Sequence, residues 1–399
     1  MTDKHRPHHE HHAEHEHHAH HVQHKHHEQP KHRKKFDKKK LAVIIALLLM
    51  AAVLGSAFFI SQRISALRPK FEVQKGMCYV TWSKDRLASS GSDASLKEMK
   101  EKGIRWVALV PTWYQETCSS NKIFRTENTP SDESVIHAIK KIHALGMKVM
   151  IKPHLDLIDT SGGGWRGEIC VADPDWKIWF LSYQEFVLNY AAMSQRYKVD
   201  IFCFGTELKS ATIKKNDARW RDVIALVRRV YHGPITYAAN WEEEFERVPF
   251  WDAVDYIGID AYFPLAENND PTLDDIKKGW QEWIGSIETI QKKYNKPVIF
   301  PEIGYCSAKK AAKTPWEDLS DGKLDLELQE NCYRAFFEML WDKDWFYGVY
   351  WWRWGTDKRM GGPTNRSFML QGKPAVEVME RWYKRPTPEK RKFEEPKGL

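Results

Sequence analysis

The stretch NKPVIFPE (295–302) reads as a helix end, a turn and an apolar strand that stops on a carboxylate. The same grammar recurs in GMKVMIKP (146–153) and in DWFYGVYWW (344–352). Outward from these, β-branched and aromatic runs alternate with longer segments of helical period. The strand candidates are Met77–Trp82, Trp106–Pro111, Lys148–Pro153, Ile201–Gly205, Ile235–Ala239, Tyr256–Tyr262, Val298–Pro301 and Gly348–Trp352. They are apolar on both sides, as strands of a helix-covered parallel sheet must be. The helices between them carry their own punctuation. Ser131-Asp132-Glu133 opens one with an N-cap and two acids, Val135, Ile136, Ile139, Ile142 and Leu145 form its stripe, and Gly146 stops it. Others start near Asp173-Pro174-Asp175, Thr272 and Leu324. Eight such units predict a (β/α)8 TIM barrel over residues 72–385, a fold that typically takes about 250 residues.

The chain has 399 residues, 42% of them hydrophobic and 13% aromatic, with six cysteines. That excludes a disulfide-stapled miniprotein and a wholly disordered chain. Eighteen tryptophans exceed what a core needs, and indoles suit a surface that meets flat ligands. No C-x-x-C pair occurs, so zinc-ribbon and thioredoxin readings are weak. Cys78 and Cys203 lie in apolar runs and read as core residues, whereas Cys118 and Cys170 lie in loops where a disulfide is conceivable.

Charge and hydropathy divide the chain. Residues 1–40 hold ten Lys/Arg against six Asp/Glu, and fourteen of the 18 histidines. This segment lacks apolar periodicity and is expected to be a disordered tail. Its imidazoles suit divalent metals but equally a solvated tail whose charge rises in acid. Residues 41–60 (LAVIIALLLMAAVLGSAFFI) carry no charge and, as a helix, span about 30 Å, the thickness of a bilayer's hydrocarbon core. The preferred reading is a transmembrane anchor, the alternative a cleaved signal peptide. Eight Lys/Arg in 21–40 against four in 61–80 predict a cytoplasmic N-terminus and an extracellular remainder. Residues 61–71 read as a linker and 386–399 as a frayed, charged tail. The rest is nearly neutral, which gives no nucleic-acid footprint.

Barrel chemistry sits where strands end at their C-terminal side. The polar and aromatic residues there are Trp82, Trp113, His154, Asp156, Thr206, Glu207, Asn240, Trp241, Asp260, Tyr262, Glu302, Trp352, Arg353 and Trp354, joined by Trp165 and Arg166 from a glycine-rich loop. Gly162-Gly163-Gly164 lacks the Lys-Ser/Thr of a phosphate cradle. Glu207 and Glu302 close the fourth and seventh strands, so both can converge on one bond. Two such carboxylates are what glycosidic cleavage needs, one to protonate the leaving oxygen and one to attack or activate water. Each alone is more readily an ordinary strand-end salt bridge.

The motifs VMIKPHLD, GGGWRGEI, FCFGTEL, YIGIDAYFPL, VIFPEIGY and GVYWWRWG, in that order, make the chain resemble a clan A glycoside hydrolase, most nearly family 113, whose known activity is β-mannanase. The resemblance implies a retaining double displacement with Glu207 as acid/base and Glu302 as nucleophile. It further implies that Tyr262 hydrogen-bonds the nucleophile, and that His154 and Trp352 line the −1 subsite. Thr206 departs from the Asn that most clan A members carry before the acid/base. That Asn contacts the sugar 2-OH, so the departure puts the substrate sugar in question. Trp82, Trp113, Trp165, Trp241, Trp352 and Trp354 are expected stacking platforms, with helix–barrel packing the alternative for each. Arg166 is expected to bind a sugar hydroxyl or to tie down its loop, and Asp260 to orient neighbours. The expected partner is a polysaccharide or oligosaccharide. The mechanism requires no metal or organic cofactor. Endo-β-1,4-mannan cleavage is the first expectation; another β-glycan (glucan, xylan, a cell-wall polymer) or a non-catalytic carbohydrate-binding role are the alternatives.

Overall fold

The computed structural model describes residues 39, 41–52, 55, 71–161 and 164–393. The chain divides into two units, Met1–Leu67 and Arg68–Leu399. In the first, residues 41–52 are helical. No helix among the described residues is long and apolar enough to cross a membrane, so the expected span of 41–60 gains no support. Residues 53, 54 and 56–60, the His-rich tail apart from Lys39, and linker residues 61–70 lie outside the described residues.

The second unit is the expected barrel. Its strands are β1 (Gln74–Val80), β2 (Trp106–Val110), β4 (Lys148–Ile151), β6 (Ile201–Thr206), β7 (Ile235–Asn240), β8 (Tyr256–Asp260), β9 (Val298–Ile303) and β10 (Phe346–Trp354). They close in the order β1-β10-β9-β8-β7-β6-β4-β2, with every pair parallel. Two further strands, β3 (Thr112–Gln115) and β5 (His154–Leu157), pair with each other instead. Prolines explain the break. Pro111 and Pro153 have no N–H for a ladder, so the second and third barrel strands stop there and their continuations peel away together. The main chain bridges the gap, with His154 N donating to Pro111 O at 2.9 Å. This short ribbon carries His154 and Asp156 onto the rim.

The helices start and stop where the sequence says. Ser131 caps Asp132–Ala144 by accepting from Ser134 N, and Gly146 takes the left-handed φ of +67° that ends it. Thr272 and Asp275 form a capping box on Leu273–Tyr294. Trp176–Arg196 packs Trp179, Tyr183, Phe186 and Tyr190 against the sheet, all essentially inaccessible.

Two expectations need correcting. All six cysteines are free, so Cys118 and Cys170 are not bonded. Their loops do meet, but through the backbone, Cys170 N donating to Cys118 O at 2.9 Å. Nor are residues 386–393 frayed. Phe393 is buried against Tyr347 and Phe71, and Lys390 Nζ donates to Trp341 O and Lys343 O. Residues 394–399 lie outside the described residues.

Candidate active site

The site grows from four adjacent strands, β6 to β9. Glu207 follows β6 with a left-handed φ of +52°, a conformation that non-glycine residues seldom adopt. Its surroundings hold it there. Glu207 N donates to Ala238 O at 2.8 Å, and the next amide, Leu208 N, donates to Tyr237 OH at 2.8 Å. The turn swings the carboxylate inward. Register then carries the rim onward: Asn240 pairs with Asp260 across β7 and β8, and Asp260 with Glu302 across β8 and β9.

Each glutamate has its own set of donors. Glu207 accepts from Asn240 Nδ2 at 2.8 Å and from an Arg166 terminal nitrogen at 2.9 Å. Glu302 accepts from Tyr262 OH at 2.7 Å and from Lys152 Nζ at 2.5 Å. Lys152 also reaches Asp260 at 3.0 Å. Both glutamates are buried. Burial pushes the Glu207 carboxyl upward, Arg166 pulls it down, and the Glu302 charge raises it again; the net shift is upward. The two carboxylates therefore feel each other. Lys152 is penalised by burial, but Asp260 and Glu302 outweigh that and hold it protonated. Burial, then the Glu302 charge, raises the Tyr262 phenol well above its ordinary value, so it remains a donor.

His154 is buried, stacked on Trp352 with ring centroids 6.1 Å apart, its Nε2 3.6 Å from Glu302. Burial first, then Arg166 and Lys152, drives its pKa well down. It is held neutral, and that Nε2 has no hydrogen-bond partner among the described residues. Arg166 ties the Trp165 loop to β5 and to the acid/base candidate, since it also donates to Asp156 at 2.5 Å. Of its two expected roles, the structural tie is the one observed.

The aromatic expectations divide. Trp82 is exposed, and Trp165, Trp241 and Trp352 are half-buried. Trp241 stacks on exposed Trp316 with centroids 5.0 Å apart, which adds an indole the sequence reading missed. Trp113 is a correction: it packs on Phe186 and donates Nε1 to Tyr190 OH at 2.9 Å, inside the helix layer. Trp354 is a second, with no accessible surface in the barrel core. Thr206 is a third, because its hydroxyl is buried, with no accessible surface to offer a sugar. Asp260 is fully buried and pairs with Lys152 at 3.0 Å.

Lys152 and Glu244 were missed. Lys152 hides in MIKP, where a lysine after an apolar run looks like a solvent-facing residue. Glu244 opens the short helix Glu244–Arg247 after a three-residue turn beyond β7, and accepts from Asn240 N at 2.6 Å, Tyr237 OH at 2.7 Å and Thr212 Oγ1 at 2.8 Å. It thus braces Asn240, which donates to Glu207, and Tyr237, which holds the next amide, Leu208 N. Its only sequence signal was an acid within a Glu242-Glu243-Glu244 run, which reads as surface. Among the described residues no group of three or more His, Cys, Asp or Glu is placed to hold a metal ion.

A closed parallel barrel with two buried carboxylates at its C-terminal rim and indoles around them fits a glycosidase-type site. The chain belongs to Glycoside Hydrolase Family 113, whose family model matches residues 78–373, and is a glycoside hydrolase. Among solved structures it is similar to a GH113 β-mannanase from Alicyclobacillus acidocaldarius in complex with ManMIm, at 29% identity and a TM-score of 0.70, covering 78% of this chain and 97% of that one. A GH113 β-1,4-mannanase in a complex structure gives 27% identity and a TM-score of 0.70 over 78% of this chain and 99% of that one. A family 5 mannosidase from Rhizomucor miehei, at 11% identity, a TM-score of 0.54 and coverage of 79% and 93%, shares the fold. No curated protein matches the chain.

Proposed function

We propose that this glycoside hydrolase cleaves β-linked polysaccharide with retention of configuration, most nearly as an endo-β-1,4-mannanase. The observation that carries the reading is the unequal treatment of the two carboxylates. Glu207 has its pKa raised in a buried setting, which suits a group that must begin protonated. Glu302 accepts hydrogen bonds from a cation and a phenol, which suits a group that must attack as an anion.

The steps follow from those environments. Glu207 donates its proton to the glycosidic oxygen while a Glu302 oxygen bonds to the anomeric carbon, and the leaving sugar departs as an alcohol. The resulting ester has no charge. Lys152 then keeps Asp260 as its counterion, so no cation is stranded when Glu302 is neutralised. Glu207, now ionised, takes a proton from water, which attacks the ester and frees Glu302. His154 and Trp352 wall the sugar pocket, and the Trp241–Trp316 pair offers a stacking face.

The similar solved structures are described as β-mannanases, which supports mannan as substrate. Thr206 in place of the usual Asn favours a second reading, the same mechanism on another β-glycan. A panel of mannan, β-glucan, xylan and cell-wall polymers, with products sized and their linkage identified, decides between them. Release of mannan oligosaccharides supports the first reading; turnover of another polymer alone supports the second.

The cellular setting is part of this proposal and rests on sequence alone. Residues 41–60 would tether the barrel outside the cell, with the N-terminus cytoplasmic. Full-length chain in the membrane fraction supports that; a shortened chain in the medium points to a cleaved leader.

A further inference from the structure

Two arginines reach the mouth of the barrel, and they are treated differently. Arg166 is neutralised by Asp156 and Glu207. Arg353, next to last in β10, has no ion pair or hydrogen bond among the described residues, and its Nε is buried without a partner. Its guanidinium lies over the Trp82 ring at 4.8 Å and over Trp352 at 5.7 Å. Two indole faces hold a planar cation in one orientation. They do not supply a counter-charge, and burial of the guanidinium outweighs the attraction of Asp318 and, more weakly, Glu302, neither of which pairs with it directly.

The position identifies what Arg353 meets. In the closed order, β10 is four strands from β6 in either direction, so Arg353 stands opposite Glu207. Under the glycoside hydrolase reading, Glu207 protonates the departing oxygen, and the leaving group lies on the β6 side. Arg353 therefore borders the part of the glycan that stays on the enzyme. Trp352 links the two regions: one neighbour is His154, beside Glu302, and another is Arg353. A sugar hydroxyl would accept from the guanidinium but add no charge to the partial compensation from Asp318 and Glu302. A carboxylate or phosphate does both, and two parallel N–H···O bonds match either anion. Such a cation also offsets the repulsion that an acidic sugar would meet from Glu302.

We propose that Arg353, clasped by Trp82 and Trp352, is the binding site for an acidic substituent, a carboxylate or a phosphate, on the glycone side of the cleaved bond. The substrate is then a β-glycan, mannan included, that carries acidic substituents on that side. This deepens the function proposed above and rests on it for the direction of the chain.

The test compares matched oligosaccharides: a neutral β-1,4-mannan oligomer, the same oligomer bearing a uronic acid, and the same bearing a phosphate monoester. The full chain is expected to show kcat/KM about tenfold or more higher for at least one acidic oligomer, as a charged hydrogen bond implies. That ratio falls towards one in Arg353→Met, is partly kept in Arg353→Lys, and shrinks as salt rises. Whichever acidic arm is favoured names the anion. Equal or better turnover of the neutral oligomer by the unaltered chain overturns the proposal, and needs no variant to be seen. So does a preference that Arg353→Met leaves intact. Calorimetric binding to Glu207→Gln separates this from the function itself. Acidic oligomers bound through Arg353 without turnover by the unaltered chain would keep the site and discard the hydrolase. Turnover of all three oligomers at equal rates would do the reverse.

Discussion

Asn240 donates its side-chain amide to Glu207 at 2.8 Å while its own backbone N–H is held by Glu244 at 2.6 Å. The acid/base candidate is therefore positioned from β7, one strand away, and not by the residue before it in sequence. Thr206, which holds that preceding place, has a buried hydroxyl. The amide that steers Glu207 comes from the neighbouring strand, and the chain of support ends at a buried carboxylate.

Arg166 should set the alkaline limb of activity. Its charge pulls the Glu207 pKa down against burial. Removing it leaves Glu207 protonated to higher pH, because the ionised form loses its cation. Arg166→Met is expected to move the alkaline limb of kcat/KM upward. Overall activity should fall as well, since Asp156 and the Trp165 loop lose their tie. A pH–rate profile checks this, and an unmoved or lowered limb contradicts it.

Lys152 should be the most costly single residue to remove. It is fully buried with Asp260 and Glu302 as counterions. Breaking such a cluster from one side leaves carboxylates without their cation and typically costs about 3–5 kcal/mol. Lys152→Met is expected to lower Tm markedly, and adding Asp260→Leu should return part of the loss. Thermal unfolding of the single and double variants reads both. A double variant no more stable than the single would argue that the cluster is not coupled.

Glu244 should give the barrel a pH-dependent stability. Burial raises its pKa to about 7, opposed by its hydrogen bonds to Asn240, Tyr237 and Thr212. In the unfolded chain it titrates near 4.5. Between those values the folded form keeps a proton that the unfolded form has lost. Stability from this group is thus fully present below about 4.5, declines as pH rises, and is gone above about 7; the span is on the order of 3 kcal/mol. Glu244→Gln should flatten that decline. Denaturant unfolding at several pH values, compared between the two proteins, measures the difference.

The barrel was legible because its signals are local and repeated. All eight strands came from apolar runs; Ser131 and Thr272 marked helix ends through their side chains, and Gly146 through its backbone. The two glutamates were legible because strand ends in this fold are where chemistry sits. What stayed hidden depends on contacts between distant segments. Trp113 and Trp241 look alike in sequence, each just beyond an apolar strand. Only the helix packed over Trp113 turns it into core, while Trp316, far along the chain, gives Trp241 a stacking partner. Lys152 reads as surface until Asp260 and Glu302 are seen beside it.

The central claim is that Glu302 forms the bond to sugar and Glu207 moves the proton. Azide rescue of Glu302→Ala and Glu207→Ala on an activated aryl β-glycoside tests it most directly, read as the anomeric configuration of the glycosyl azide. An α-azide from Glu302→Ala and a β-azide from Glu207→Ala are predicted. Undiminished hydrolysis by Glu302→Ala, or the opposite pair of anomers, would contradict it.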